Sequence, residues 1–255
     1  MSSTIIKLYN KMKKKYTSNK SYYIYGKHAS QAALINPKRM ILEIYVTSEN
    51  FNSIPSPFHN KCKIIRSNEF AKILNKDSIH QGFAILVNPL QSAILESIEF
   101  HDNSAIAILD QITDPHNLGA ILRSALAFGI EAVILPNDNS TEESAIVAKT
   151  SCGALEHVPI CRVTNISSTI NYLKKSNFWI IGLDGEGKEV INKKLFSGKT
   201  CIVLGAEGKG IRRLTKENCD VIAQIPMSNS MESLNVSNAA SIAFYEAYLA
   251  KGKYS

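Results

Sequence analysis

Hydrophobic residues in the second half of the chain fall into short continuous runs, separated by segments whose apolar residues recur at helical spacing. Near-continuous apolar strands that alternate with helices indicate a parallel sheet covered on both faces. The predicted order is strand 105–109, helix 118–128, strand 132–135, helix 143–149, strand 158–161, helix 169–175, strands 178–183, 200–204 and 221–225, and a closing helix 236–249.

The first part of the chain has a different pattern, which predicts a separate small α/β domain at residues 21–90. Its predicted elements are helix 29–34, strand 41–46, strand 63–65, helix 70–74 and strand 83–87. The polar run 91–103 is typical of a linker, so residues 104–255 form the second predicted domain.

Residues 1–20 contain six lysines and few strong apolar anchors. Two interpretations of this basic arm remain open. It is either a solvated, charged segment or an arm that contacts RNA.

Composition narrows the class of protein. The 255 residues are 45% hydrophobic and 20% charged, which is typical of a soluble globular protein, and no apolar run reaches membrane-spanning length. The formal net charge of +7 favours a polyanionic partner such as nucleic acid. The five cysteines include no C-x-x-C pair, so we expect reduced thiols in the cytoplasm, without a disulfide framework or a metal site.

Three polar loops, 110–119, 205–210 and 226–235, each follow the carboxyl end of a predicted strand. Ligands bind at that edge of open α/β sheets. A purely structural interpretation is available for each loop, because Asn117 and Asn235 also suit helix caps and a glycine-rich loop also suits a tight turn.

The common nucleotide-binding fingerprints are missing. No G-x-G-x-x-G follows the first strand of the sheet, and Lys209 is not followed by the Ser or Thr of a P-loop. A nicotinamide-dependent oxidoreductase on a similar sheet is therefore disfavoured, although it remains an alternative.

Taken together, the loops resemble the three motifs of the SpoU (TrmH) family of RNA ribose 2′-O-methyltransferases. The motif residues are 114–120 with Arg123, 204–210, and 225–227 with 233–237. The likeness runs from about Tyr23 to the end of the chain, because 26–29 and 80–83 resemble the family's small N-terminal RNA-binding domain. The layout is most similar to members that methylate a guanosine of bacterial large-subunit rRNA.

The resemblance implies an α/β fold in which residues 104–255 form a trefoil-knotted, parallel-sheet methyltransferase domain. This domain would bind S-adenosylmethionine in the knot and work as a homodimer. Residues 21–90 would bind RNA, whereas the basic arm is outside the shared pattern. The alternatives are a tRNA ribose 2′-O-methyltransferase of the same family and a non-enzymatic RNA-binding protein.

The resemblance also implies roles for individual residues. The catalytic and cofactor-ordering polar positions are Asn117, Arg123, Glu207, Ser233 and Asn235, and the cofactor-binding positions are Gly205, Ile225 and Leu234. A guanidinium with a pKa above ~12 is a poor base. We therefore expect Arg123 to act as an electrostatic clamp, while the proton leaves to Glu207 or to water.

Overall fold

The computed structural model describes residues 21–228 and 233–252. No helix in these ranges is long and apolar enough to cross a membrane. The strands and helices are β1 Tyr22–Tyr25, α1 Lys27–Ile35, β2 Ile41–Val46, β3 Cys62–Ile64, β4 Phe83–Val87, β5 Ala105–Asp110, α2 Pro115–Ala127, β6 Val133–Pro136, α3 Ala145–Thr150, β7 Ile160–Val163, α4 Ile166–Lys175, β8 Trp179–Leu183, β9 Glu189–Val190, β10 Thr200–Gly205, α5 Arg213–Glu217, β11 Val221–Gln224 and α6 Val236–Ala250.

The larger sheet has seven strands in the order β7-β6-β5-β10-β8-β11-β9, and all its pairings are parallel. Alternate residues of β5 enter two different cores, Ala107 on one face and Ile108 on the other. Helices α2, α3 and α6 pack on the first face and α4 on the second. The predicted parallel sheet with two covered faces is confirmed.

The smaller sheet, ordered β1-β4-β2-β3, differs from the expectation in two places. Strand β1 was not predicted, because Ile24 is its only buried residue and its apolar signal is weak. It becomes a strand through antiparallel pairing with β4. The helix predicted at 70–74 is instead a 3-10 helix of about two turns, Ser67–Lys72, in which Phe70 is the only buried side chain.

The predicted linker 91–103 packs along the edge strand β7. The amide of Ala93 donates to the carbonyl of Ile160 at 2.8 Å, and the amide of Arg162 donates to Oγ of Ser92 at 2.8 Å. Leu95 is buried in the core on the α4 face of the large sheet. The segment is therefore part of the packed structure, and it leads directly from β4 into β5.

Candidate active site

Four neighbouring strands of the large sheet, β5, β10, β8 and β11, end at the same edge because they run parallel. Loops 110–119 and 205–210 lie at this edge as predicted, and so do the described residues of loop 226–235, which are 226–228 and 233–235. Sequence reasoning missed a fourth loop, 184–188. It follows β8, which lies between β10 and β11 in the sheet. Its Asp-Gly-Glu-Gly sequence directly after a predicted strand was the available signal.

The first of these loops leads into α2, whose start is fixed by a side-chain cap. The carboxylate of Asp114 accepts a hydrogen bond from the amide of His116 at 2.8 Å, which satisfies one of the unpaired donors of the first turn. Asn117 is buried in that turn. Its Nδ2 donates to Oε2 of Glu207 at 3.4 Å, and its Oδ1 accepts from Nδ2 of Asn235 at 3.0 Å. The structure thus joins three of the predicted site residues in one hydrogen-bonded chain.

Asn235 is the N-cap of α6, and its Oδ1 accepts hydrogen bonds from the amide and Oγ of Ser237 at 2.9 and 2.6 Å. The plain capping role considered for this residue is present. The other end of the same amide reaches Asn117, so the side chain also connects α6 to α2. Ser233, which is exposed, and Leu234, which is half-buried, precede the cap and follow residues 229–232, which lie outside the described residues.

The glycines of the second loop serve its own closure. A Cβ on Gly205 would lie 2.0 Å from the carbonyl carbon of Gly210, and the amide of Gly210 donates to the carbonyl of Ala206 at 2.8 Å. Gly208 has a φ of 76° and Gly210 a φ of 64°, conformations that glycine adopts without strain. The turn presents Glu207 to solvent. A role for Gly205 in cofactor binding remains a prediction.

Two ion pairs involve basic residues that follow the glycine loop in the sequence, and sequence reasoning missed both. The buried carboxylate of Asp110 accepts from Nε of Arg212 at 2.7 Å and from the amide of the same residue at 3.3 Å. Asp184, in the loop after β8, pairs with Nζ of Lys216 at 3.1 Å. The partners of the first pair are 102 positions apart in the sequence, so no local sequence pattern predicts that they meet.

A cavity of about 380 Å³ opens beside the hydrogen-bonded chain of Asn117, Glu207 and Asn235. Its walls carry amide, hydroxyl, carboxylate and ammonium groups, a mixture that suits a polar ligand. The predicted cofactor residues Gly205, Ile225 and Leu234 do not line it, although Gly205 ends β10 and Ile225 follows β11. The polar side chains on its walls include Gln111, Thr113, Asp114, Asn117, Glu207 and Lys209.

Arg123 is the predicted site residue that the chain does not bring into this cluster. It lies six residues after Asn117 on α2, which places it ~9 Å further along the helix axis and ~240° around it. Its side chain is exposed, does not line the cavity, and makes no hydrogen bond or ion pair with another residue of 21–228 or 233–252.

Comparison with known proteins decides the family. Residues 104–245 match the SpoU rRNA Methylase family, a match that spans more than half of the chain. The chain belongs to the SpoU rRNA methylase family. Residues 23–93 match a second family, described as RNA 2′-O ribose methyltransferase substrate binding. The predicted family and the predicted class of enzyme, an S-adenosylmethionine-dependent RNA methyltransferase, are confirmed.

Two relatives and two solved structures illustrate the similarity of this SpoU chain to known proteins. It is 38% identical over 237 residues to the 23S rRNA (guanosine-2′-O-)-methyltransferase RlmB of Salmonella typhimurium, covering 89% of this chain and 98% of that protein. The Coxiella burnetii RlmB is 41% identical over 234 residues, covering 88% and 93%.

Among structures, the SpoU methyltransferase AviRb of Streptomyces viridochromogenes, in complex with AdoMet, has a TM-score of 0.75 at 19% identity and covers 92% of each chain. An AdoMet-bound rRNA methyltransferase of Sinorhizobium meliloti has a TM-score of 0.78 at 19% identity, covering 92% of this chain and 88% of its own. At this identity the two structures support the α/β fold with its parallel sheet.

Proposed function

We propose that this protein transfers a methyl group from S-adenosylmethionine to the ribose 2′-hydroxyl of a guanosine in large-subunit rRNA. The observation that carries the proposal is the chain of Asn117, Glu207 and Asn235 beside a polar cavity at the carboxyl edge of the sheet. The substrate follows from similarity to RlmB proteins along 89% of the chain. A tRNA substrate has weaker support, because the Aquifex aeolicus tRNA-modifying TrmH/SpoU enzyme covers only 60% of the chain.

The cofactor would lie where β10, β8 and β11 end side by side, next to the start of α6. S-adenosylmethionine supplies an electrophilic methyl group. Ile225 and Leu234 are half-buried there and offer apolar surface to an adenine ring. The strand ends around Gly205 offer backbone donors and acceptors. These residues fit the cofactor by chemistry, and the cavity beside Asn117 is left for the acceptor ribose.

The side chains on the cavity wall divide the remaining work. The Nδ2 group of Asn117 donates to Glu207 and so orients its carboxylate toward the cavity. Glu207 would accept the 2′-hydroxyl proton, so that the ribose oxygen could take the methyl group that the bound cofactor would supply. Asn235 fixes Asn117 from behind, and Ser233 places a hydroxyl at the start of α6. Positioned groups of this kind contribute through geometry held before the reaction.

Arg123 enters this scheme through a homodimer. Helix α2, which carries Arg123, and helix α6, which packs against it, also carry exposed apolar side chains: Leu126, Ile242 and Tyr245. A second copy covering these side chains would remove apolar surface from water and place Arg123 at the subunit boundary. There its planar guanidinium would bind the RNA phosphate in a fork and stabilise the developing alkoxide.

The finer features of the fold belong to the same proposal. We propose that residues 104–255 form a trefoil knot around the cofactor, in keeping with the TM-score of 0.78 to an AdoMet-bound rRNA methyltransferase. We also propose that the protein works in the cytoplasm, where rRNA is accessible and the thiols of its cysteines stay reduced.

RNA binding is proposed for residues 21–90, and its electrostatic part can be measured. Because a chain of net charge +7 releases counterions when it grips phosphates, RNA affinity should fall steeply with salt. Deleting residues 1–20 should reduce the slope of log affinity against log salt if the basic arm touches RNA. A flat salt dependence of the full chain would contradict RNA binding.

The decisive experiment compares cofactors and then maps the product. Isothermal titration calorimetry should detect S-adenosylmethionine binding and no NAD binding, and tight NAD binding without the methyl donor would overturn the proposal. Mapping methylated riboses in RNA from cells with and without the protein should then reveal one guanosine of large-subunit rRNA. Loss of a tRNA methylation instead would favour the alternative substrate.

A further inference from the structure

A buried polar joint connects the small domain, residues 21–90, to the methylase domain. We propose that Arg39, at its centre, is a positioning residue that fixes the orientation of the small domain, so that RNA held there meets the active site at a set distance. Arg39 itself would touch neither RNA nor cofactor. The inference rests on the proposed function for its consequence, whereas the joint is a property of the fold.

Arg39 is saturated by groups from three segments of the chain. Its side chain is 0% exposed. Nε and Nη2 donate to the two carboxylate oxygens of Glu156 at 3.1 and 2.6 Å, and Nη1 donates to Glu143 at 2.5 Å and to the carbonyl of Asn88 at 2.9 Å. A guanidinium presents its donors in a rigid fork, so this set of partners defines one orientation of the residue.

The two carboxylates are completed by other groups of the small domain and of the segment that leaves it. Tyr22 donates to Glu143 at 2.6 Å, and the amide of Leu90 donates to the other oxygen of Glu143 at 3.0 Å. Asn36 donates to Glu156 at 2.7 Å. Burial, followed by the neighbouring Glu143, raises the pKa of the Tyr22 hydroxyl, which therefore stays a donor.

A buried polar network of this kind favours one relative orientation of the two domains, and it adds little to the free energy of unfolding. Burying one cation and two carboxylates is costly, and the cost is recovered only when every group is paired. Rotating the small domain would break several of these bonds together and leave charges buried without partners. Polar interfaces between domains usually permit relative motion, and this joint is an exception because its polar groups are enclosed and saturated.

Two further contacts prevent rotation about the joint. Nζ of Lys149, near the end of α3, donates to the carbonyl of Ile79 at 2.8 Å and lies 5.3 Å from the ring centroid of Tyr25. A Cβ on Gly153 would lie 2.9 Å from Cβ of Ala32, so the two domains approach there as closely as glycine allows. The Arg39 network, the Lys149 contacts and the Gly153–Ala32 approach are three separate contacts, which is enough to determine the orientation of one domain on the other.

The helix that receives the small domain also supports the active site. A Cβ on Gly119 would lie 2.6 Å from Cβ of Thr150, so α3 abuts the first turns of α2. That stretch of α2 carries Asn117. The path from the small domain to the hydrogen-bonded chain of Asn117, Glu207 and Asn235 therefore runs through α3 and the two residues that flank it, Glu143 and Glu156.

The test removes the central cation and separates RNA positioning from chemistry. Arg39→Met keeps a long apolar stem and loses the fork. We expect the KM for the RNA substrate to rise at least tenfold, while the Kd for S-adenosylmethionine and kcat at saturating RNA stay within about twofold of the wild type. Small-angle X-ray scattering should show a larger radius of gyration. Lys175→Met, which removes an exposed cation from α4 and lies outside residues 21–90, is the charge-matched control and should change none of these values.

Tyr22→Phe guards against a variant that fails to fold. It removes one hydroxyl from the joint and keeps the ring, so it should fold and raise the KM for RNA by about two- to fivefold with kcat preserved. Two results would overturn the inference. One is a wild-type KM in both variants, and the other is a folded variant in which kcat and cofactor affinity fall while KM rises. Failure of the wild type to methylate RNA would instead refute the proposed function, and scattering would still test the joint.

Discussion

The interdomain joint and the candidate active site both contain arginine and glutamate side chains, but these are buried and fully paired in the joint and exposed in the site. In the joint, the side chain of Arg39 has no exposed surface and makes four hydrogen bonds, all to groups within the chain. On α2, the side chain of Arg123 is exposed and makes no hydrogen bond or ion pair with any other residue in the part of the chain that the structure describes. The donors of Arg39 are all occupied by groups of the folded chain, whereas the donors of Arg123 are available to a ligand.

The carboxylates differ in the same way. The side chain of Glu156 is 2% exposed and is held by Arg39 and Asn36. Glu207 is exposed, and its side chain makes one long hydrogen bond within residues 21–228 and 233–252, at 3.4 Å to Asn117. A protein gains little from ordering a half-paired group for its own stability. We therefore interpret saturated polar clusters in this molecule as structural and half-paired ones as sites for a substrate.

The largest expected effect tests Arg123. Arg123→Ala should lower turnover by ~10²–10³, because it removes a donor aimed at developing charge, while melting temperature and S-adenosylmethionine affinity stay at wild-type values. Arg123→Lys should restore little, since a point charge lacks the planar fork. Single-turnover rates with calorimetry are the measurement. Near-normal methylation by the folded alanine variant would remove Arg123 from the mechanism and break the contrast with Arg39.

The next effect compares two adjacent arginines. Arg212→Ala would leave the buried carboxylate of Asp110 without its cation. Since the side chain of Arg212 is 46% exposed, we expect a loss of about 1–3 kcal/mol in the free energy of unfolding, less than for a fully buried pair. Arg213→Ala, which loses only a surface pair to Glu217, should cost less than about 0.5 kcal/mol. Equal denaturation midpoints for the two variants would show that the Asp110 pair does not hold the glycine loop.

Asn235 lies between the two extremes, since one end of its amide caps a helix and the other reaches Asn117. Asn235→Ala should cost about 1 kcal/mol of stability as a lost cap and should also weaken S-adenosylmethionine binding about tenfold, equivalent to ~1.4 kcal/mol. Asn165→Ala is the matched control, because Asn165 caps α4 in the same way, accepting from the amide of Ser168 at 2.9 Å. If both variants lose stability and neither loses cofactor affinity, Asn235 is only a cap.

The smallest effect concerns the joint at alkaline pH. Burial raises the pKa of Tyr22 in the folded protein above its ordinary value near 10, so the unfolded chain loses this proton first. Stability from Tyr22 is complete below pH ~10 and decreases as the pH rises further, by at most ~1.4 kcal/mol per pH unit for one proton.

Urea unfolding between pH 8 and 11 measures this slope. Tyr22→Phe should flatten it, whereas Tyr172→Phe, which removes an exposed hydroxyl of α4, should leave it unchanged. Identical slopes for the wild type and Tyr22→Phe would mean that the hydroxyl of Tyr22 titrates freely, and the joint would then be less enclosed than its geometry indicates.

Hydrophobic spacing determined a large part of the fold. Apart from the short strand β9 and the short helix α5, which were not predicted, the strands and helices of the large sheet were predicted in the correct order. A strand buried on both faces and a helix buried on one must each repeat apolar residues at a fixed period. The motif residues at the strand ends were sufficient to indicate the SpoU family. The position of Asn235 at the start of α6 followed from the onset of helical spacing at Val236.

The sequence by itself therefore determined the local elements, the loops that carry the chemistry and the family. Only the tertiary structure decided which polar groups meet, since Arg39 and Glu156 are 117 positions apart and Asp110 and Arg212 are 102 apart. It also decided that Arg123 stands apart from Asn117 and that the loop after β8 joins the edge. The physical reason is that periodicity reports whether a face is buried, whereas the partner of a buried charge depends on how distant segments pack, and local sequence carries no record of that.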